Sequence, residues 1–252
     1  MKVLDRKKNP PIVDAVNFKL NLKPYQKFVL DNGVEVYAVD AGAEEVLQTE
    51  WIFSAGNAQE DKNLVAATTN FLLRNGTINK TAFQINEQFD YYGSYINRAC
   101  YNETATITLH SLTRHIDNLL PKVRELITDS VMPQEELSIY QQNMKQRLKV
   151  SLKKSDFVAG RLIDVYLYGE KHPYGKYSSA EDFDALKREE LVDFYKKYYQ
   201  QGKLIIFVAG KLPQNLEQLL NTNFGDLPFA NVIEKETAPV LGTEKKVRIT
   251  ND

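Results

Sequence analysis

Three histidines and one cysteine are the side chains of this 252-residue chain best suited to metal or covalent chemistry. His110 falls in a strand pattern and His115 near the start of the next helix, so the two imidazoles could approach each other and share a metal. A surface or helix-capping role is the alternative for both. His172 precedes Pro173 and reads as the anchor of a loop. Cys100 would be a nucleophile only beside a base that favours its thiolate; otherwise it is a small apolar core residue. A lone cysteine excludes an internal disulfide framework and a cysteine-based zinc cluster. The charge clusters Lys153–Asp156 and Lys187–Glu190 read as solvated helix faces or ends.

The elements that must position these groups follow from pattern. Tyr25–Leu30 and Val34–Val39 alternate around Asp31-Asn32-Gly33, a hairpin signal because Asn and Gly tolerate positive φ. Leu47–Ala55 predicts a strand carrying the only tryptophan, Trp51. Thr81-Ala82-Phe83-Gln84 reads as a capping box, opening a helix that turns Phe83, Ile85 and Phe89 inward and stops at Gly93, a left-handed cap. Strands at 94–100 and 103–111 follow, with Thr104, Thr106 and Thr108 on one face. Helices are predicted over 113–129, 133–153 and 157–168. Pro121 kinks the first or marks a late start, and Pro133 suits the first position of the second. Arg188–Tyr199 is amphipathic, with Leu191, Phe194, Tyr195 and Tyr198 on one side. Leu204–Ala209 predicts a central strand, and Leu216–Asn221 a last helix.

Strands in groups with helices gathered between them predict an α+β fold with a mainly antiparallel sheet. The expected organisation is an extended arm over 1–24, an α+β domain over 25–226, and a linker over 227–252 that leads into a second domain. Hydrophobic content of 43%, charged content of 26% and a net charge of −1 describe an ordinary globular protein. That balance argues against nucleic acid or an acidic membrane as the main partner. No apolar run approaches the roughly 20 residues that cross a bilayer. The N-terminus lacks the apolar stretch of a signal peptide. A cytoplasmic protein is the simplest expectation, or a periplasmic one if a signal was removed.

The stretch that organises the rest is Leu64–Thr77, LVAATTNFLLRNGT, an amphipathic helix closing on Asn75-Gly76-Thr77. Around it, in order, stand Leu30-Asp31-Asn32-Gly33-Val34-Glu35-Val36, Tyr92-Gly93-Ser94-Tyr95-Ile96-Asn97, His172-Pro173-Tyr174-Gly175, Leu191-Val192-Asp193-Phe194-Tyr195 and Val208-Ala209-Gly210. Over about 25–243 this series resembles the N-terminal domain of the insulinase and mitochondrial-processing-peptidase (pitrilysin-type) zinc peptidases. It implies one domain of the LuxS/processing-peptidase-like metallohydrolase fold. Members normally join two such domains, so the chain reads as a first half.

In that family the helix carries an inverted zinc motif, H-x-x-E-H, just before a Gly-Thr. Counted back from Gly76-Thr77, the motif positions here are Ala67, Thr68, Thr69, Asn70 and Phe71. Ala67 and Phe71 offer a metal no donor, and neutral Asn70 cannot take a proton from a metal-bound water. Ala67 and Phe71 lie four apart and share a helix face; with Leu64 and Leu72 they are expected to pack in the core. The family's third ligand, a glutamate on a later helix, aligns near Gln146 or Arg147, and the window Gln142–Val150 holds no carboxylate.

The resemblance therefore implies a non-catalytic subunit or half of an insulinase-type metallopeptidase. Its partner would be a catalytic zinc peptidase subunit or second peptidase-like domain, and zinc is expected only in that partner. The family's substrate strand maps onto Ile96, Asn97, Arg98 and Ala99, where a peptide would add a strand to a free sheet edge; Arg98 replaces a small residue. Two alternatives stand beside this reading: a structural assembly protein, and a hydrolase with a relocated metal site near His110 and His115.

Overall fold

The computed structural model describes residues 23–229. The arm and linker expected over 1–24 and 227–252 therefore fall almost wholly outside the described residues. Six strands form one sheet in the order β1-β2-β6-β3-β5-β4. They are β1 (Gln26–Val29), β2 (Glu35–Asp40), β3 (Val46–Phe53), β4 (Tyr95–Cys100), β5 (Ala105–Leu112) and β6 (Leu204–Gly210). Every pairing is antiparallel except β2 with β6, which run parallel. The continuous apolar run of β6 lies third in the order, but only one of its faces is buried: Leu204, Ile206 and Val208 point into the core while Phe207 is 42% exposed.

The first hairpin closes through the Leu30 N–H to Val34 carbonyl bond (2.9 Å), and only Gly33 takes a positive φ, 88°. Asn32 serves a different end: its amide donates to the carbonyls of Phe224 and Leu227, each at 2.8 Å. The turn is thus pinned to the last helix, α8 (Leu216–Phe224).

Between these strands lie α1 (Val65–Leu72), α2 (Ala82–Tyr91), α3 (Ile116–Thr128), α4 (Gln134–Ser151), α5 (Ser155–Tyr168), α6 (Ala180–Ala185) and α7 (Arg188–Tyr195). The last of these continues into a π-helical turn, Lys196–Gln200. The inner sheet face meets the helices in a closed core. Trp51 packs on Phe224 (ring centroids 5.4 Å) and Phe53 on Tyr199 (4.8 Å). Leu191, Phe194, Tyr195 and Tyr198 are all buried, and each such side chain contributes about 1.5–3 kcal/mol when removed from water.

Local signals resolve in detail. The capping box at Thr81 and Gln84 forms, and Gly93 takes φ 60°. Phe83 is the exception: Ile85 and Phe89 are buried but Phe83 is 73% exposed. Two residues before Ile85 is roughly 200° around a helix, so the three cannot share a face. Pro121 sits inside α3, and Pro133 caps α4 from just outside its first turn. Thr106 and Thr108 lie buried in β5, while Thr104 falls in the preceding turn.

Candidate functional site

Helix α1 begins in an unusual way. Leu64, just before it, holds a left-handed φ of 73°, which costs a non-glycine residue roughly 1–2 kcal/mol. The compensating contact comes from Glu60. One of its carboxylate oxygens accepts from the Leu64 N–H (3.2 Å) and the other from the Ala66 N–H (2.9 Å). Glu60 is buried, at 5% exposure. Burial pushes its carboxyl up to about 7, against the downward pull of those two backbone bonds.

That start sets the helix phase, and the phase differs from the one expected. The buried side of α1 carries Val65, Ala66, Thr68, Thr69, Asn70 and Leu72. Ala67 and Leu64 are only half-buried, and Phe71 is 40% exposed. The core packing expected of Ala67 and Phe71 is therefore overturned. Helical period requires some face to be buried but does not say which, and here polar Thr68, Thr69 and Asn70 point inward. Asn70 is accommodated because its amide donates to the Thr106 carbonyl (3.2 Å) and the Tyr199 hydroxyl (3.0 Å). It is a structural tie between α1, β5 and the π-helical turn.

Phe71 instead faces α4. Its ring lies 4.7 Å from that of Tyr140, tilted by 41°, and the Arg98 guanidinium stands 5.1 Å from its centroid. Arg98 also donates to the Phe71 carbonyl, near the negative end of α1. Burial lowers the Arg98 pKa to about 10, with the neighbouring Arg74 charge adding to the shift. It stays charged at neutral pH.

An open cleft of about 840 Å³ runs between α1 and α4, lined among others by Phe71, Asn75, Tyr140, Asn143, Gln146 and Arg147. The position of the second motif histidine and the window aligned with the third ligand thus do meet across one cleft. Glu136, the carboxylate in its lining, is bonded to the Asn75 amide at 2.7 Å. These residues do not fit a zinc ion. Ala67 and Phe71 carry no donor, the Asn70 amide is spent on Thr106 and Tyr199, and a permanent cation, Arg98, stacks beside them.

Strand β4 lies at the sheet edge, bonded only to β5. Its neighbour Tyr101 donates to Thr104 across the hairpin at 2.7 Å. The alternation of antiparallel pairs then turns the backbone groups of Ile96, Arg98 and Cys100 outward. The Ile96 carbonyl already accepts from Arg74 at 3.0 Å. Of the four candidate residues, Ile96 is buried, Asn97 exposed, and Arg98 and Ala99 half-buried.

The remaining candidates stay apart from this site. His110 packs near Tyr95 (6.0 Å) and His115 near Tyr92 (5.3 Å), two separate aromatic contacts. Among the described residues no group of three or more His, Cys, Asp or Glu is placed to hold a metal. His172 is buried and its Nδ1 accepts from the Tyr174 N–H at 3.2 Å, closing the loop as expected. Cys100 is half-buried on β4; burial, and then the charge of Glu60, push its thiol up to about 12, which removes nucleophilic character near neutral pH. Sequence reasoning missed Glu60, Arg74 and Tyr140. Tyr140 could have been found by helical phase, three residues after Leu137 on the buried side of α4.

Residues 185–252 match the family described as peptidase M16 inactive domain. An uncharacterized zinc protease of Rickettsia felis is 25% identical over 189 residues, covering 67% of this chain and 46% of that protein. The mitochondrial-processing peptidase subunit beta of Neurospora crassa is 22% identical over 214 residues, 79% of this chain and 44% of the relative. The crystal structure of a peptidase M16 inactive domain from Pseudomonas fluorescens superposes with a TM-score of 0.79 at 23% identity, covering 86% of this chain and 54% of that one. The chain spans less than half the length of these curated relatives. By sequence it is similar to zinc proteases and processing peptidases, as its motifs implied, and its α+β fold is that of an M16 inactive domain.

Proposed function

We propose that this chain, a relative of the insulinase and processing-peptidase proteins with degenerate metal positions, is a non-catalytic subunit or half of such a metallopeptidase. It holds peptide and assembles with a zinc-bearing partner, which alone carries the metal. The observation that carries this reading is the state of the α1–α4 cleft. Across it the motif position Phe71 faces the window of the third ligand, and Phe71 contacts Tyr140 and Arg98 where a metal donor would stand. Resemblance to a protein named as a processing-peptidase subunit supports the partner. The edge position of β4 supports peptide addition beside Ile96, Asn97, Arg98 and Ala99.

The test is a pull-down at native expression levels, followed by a peptide-cleavage assay on what co-purifies. A co-purifying zinc peptidase whose activity depends on this chain is the expected result. An inactive complex would sink the peptidase role and leave a scaffold. A fluorescent-peptide titration of the assembled complex tests β4 itself. Arg74→Ala frees the Ile96 carbonyl and should tighten binding, and unchanged affinity would remove β4 from the proposal.

A further inference from the structure

Ala67 lines a second, smaller cavity of about 240 Å³. The N-terminal loop of α1, helix α5 and the loop after Pro173 enclose it, and Asn57, Asn63, Asn102, Arg161 and Lys176 line it. Its electrostatics are those of an incomplete site. The Arg161 guanidinium is held edge-on by one hydrogen bond, Nη2 to the Ser178 carbonyl at 2.5 Å. It is stacked against Tyr177 (4.3 Å) and Phe157 (5.3 Å). Its other terminal nitrogen, Nη1, is buried and has no hydrogen-bond partner. Leaving a charged donor buried and unpaired is costly, so the arrangement lacks an acceptor.

Lys176 adds a second positive charge to the same wall and enters no salt bridge among the described residues. The carboxylate lining the cavity, Glu60, has both oxygens turned to the backbone N–H groups of Leu64 and Ala66 and does not complete Arg161.

We propose that this cavity is a binding site for a carboxylate. Two cations and the side-chain amides of Asn57 and Asn102 suit a small monoanion. The unpartnered guanidinium nitrogen offers one strong donor to a carboxylate oxygen, and the Lys176 ammonium, whose charge also acts on Glu60, adds positive charge to the same wall. A phosphate, largely dianionic near neutral pH, would need more donors than are presented. The inference stands on the cavity alone and does not depend on peptide binding at β4.

The test uses the full chain, or the complex if one forms, titrated with acetate at constant ionic strength and followed by amide NMR and thermal shift. Acetamide serves as the neutral isostere. Saturable acetate binding that acetamide fails to reproduce is expected, with perturbed amides at Asn57, Asn102 and Lys176. Arg161→Gln should weaken it by about tenfold or more. Because Arg161 also anchors Ser178, Lys176→Gln is the second variant; its wall position lets the fold stand while binding drops severalfold. Absence of saturable binding would overturn the site and leave water as the acceptor. Equal binding of acetate and acetamide, or binding unchanged in both variants, would overturn it too. Once acetate binds, a peptide compared with its C-terminally amidated form, and with a Glu-to-Gln version, separates a chain terminus, an acidic side chain and a small free acid as the source.

Discussion

Glu60 gives the sharpest quantitative prediction, because a buried carboxyl that titrates near neutrality links folding to pH. Its ordinary value is 4.5, and in the folded chain burial raises it to about 7. The folded state therefore holds the proton more tightly than the unfolded chain does. The stability tied to Glu60 is fully present below about pH 4.5 and is lost as pH rises through about 7. A difference of about 2.5 pKa units at 1.36 kcal/mol each corresponds to roughly 3 kcal/mol over the whole range, and about 2–3 kcal/mol of it falls between pH 5 and pH 8. Other groups titrate in the same window, so the measurement is a comparison. Urea unfolding of the wild-type chain and of Glu60→Gln is followed from pH 5 to pH 8. The glutamine carbonyl can still accept from Ala66, so the two should be of similar stability at pH 5. At pH 8 the variant should be the more stable by about 2–3 kcal/mol. Parallel profiles would show that Glu60 is not desolvated in the way its 5% exposure implies, and the account of how α1 starts would fall with it.

Other expectations follow from the same geometry. Asn70→Leu should destabilise by about 1–3 kcal/mol, since the Thr106 carbonyl and Tyr199 hydroxyl lose their donor in the interior; an unchanged unfolding midpoint would refute the tie. Phe71→Ala should cost about 1–2 kcal/mol, less than a core aromatic, because 40% of the residue is in solvent; a loss above about 3 kcal/mol would return Phe71 to the core. In a double-mutant cycle, Phe71→Ala and Arg98→Ala should couple by about 0.5–1.5 kcal/mol through the ring–guanidinium contact, and additive losses would deny the stack. EDTA should leave the melting temperature unchanged, as the metal positions offer no donors; a clear drop would reveal a bound ion that stabilises the fold.

The strands, the capping box, the central place of β6 and the buried side of α7 were legible in the sequence, because each rests on a short-range rule. Alternation fixes a strand face, and Thr81 with Gln84 closes a box within one turn. The phase of α1 was not legible for a corresponding reason. Apolarity pointed to Leu64, Ala67, Phe71 and Leu72 as the inner side. Long-range contacts decide otherwise: a carboxylate four residues upstream fixes the first turn, and Tyr199, far along the chain, gives Asn70 a partner that makes it tolerable inside. Nor could composition tell that Arg98 on β4 would reach the carbonyl of Phe71 on α1.

On the proposed reading, one motif position, Phe71, lies at the α1–α4 junction, while Ala67 lines the second cavity and Asn70 ties α1 to β5. A metal held between α1 and α4 would cross-link two helices and carry positive charge at their junction. On that same reading, the junction without the motif histidine still needs a contact across the cleft and still presents the carbonyl end of α1. Phe71 meets Tyr140 across the cleft, and Arg98 brings the positive charge to the carbonyl end. Aromatic contact and guanidinium together supply the cross-link and the charge from side chains alone. On this argument Arg98 and Phe71 are mutually dependent, so putting histidines back at Ala67 and Phe71 would not by itself recreate a site. It would leave half-buried Arg98 without its ring and would place a fixed cation beside the incoming metal, where repulsion opposes binding.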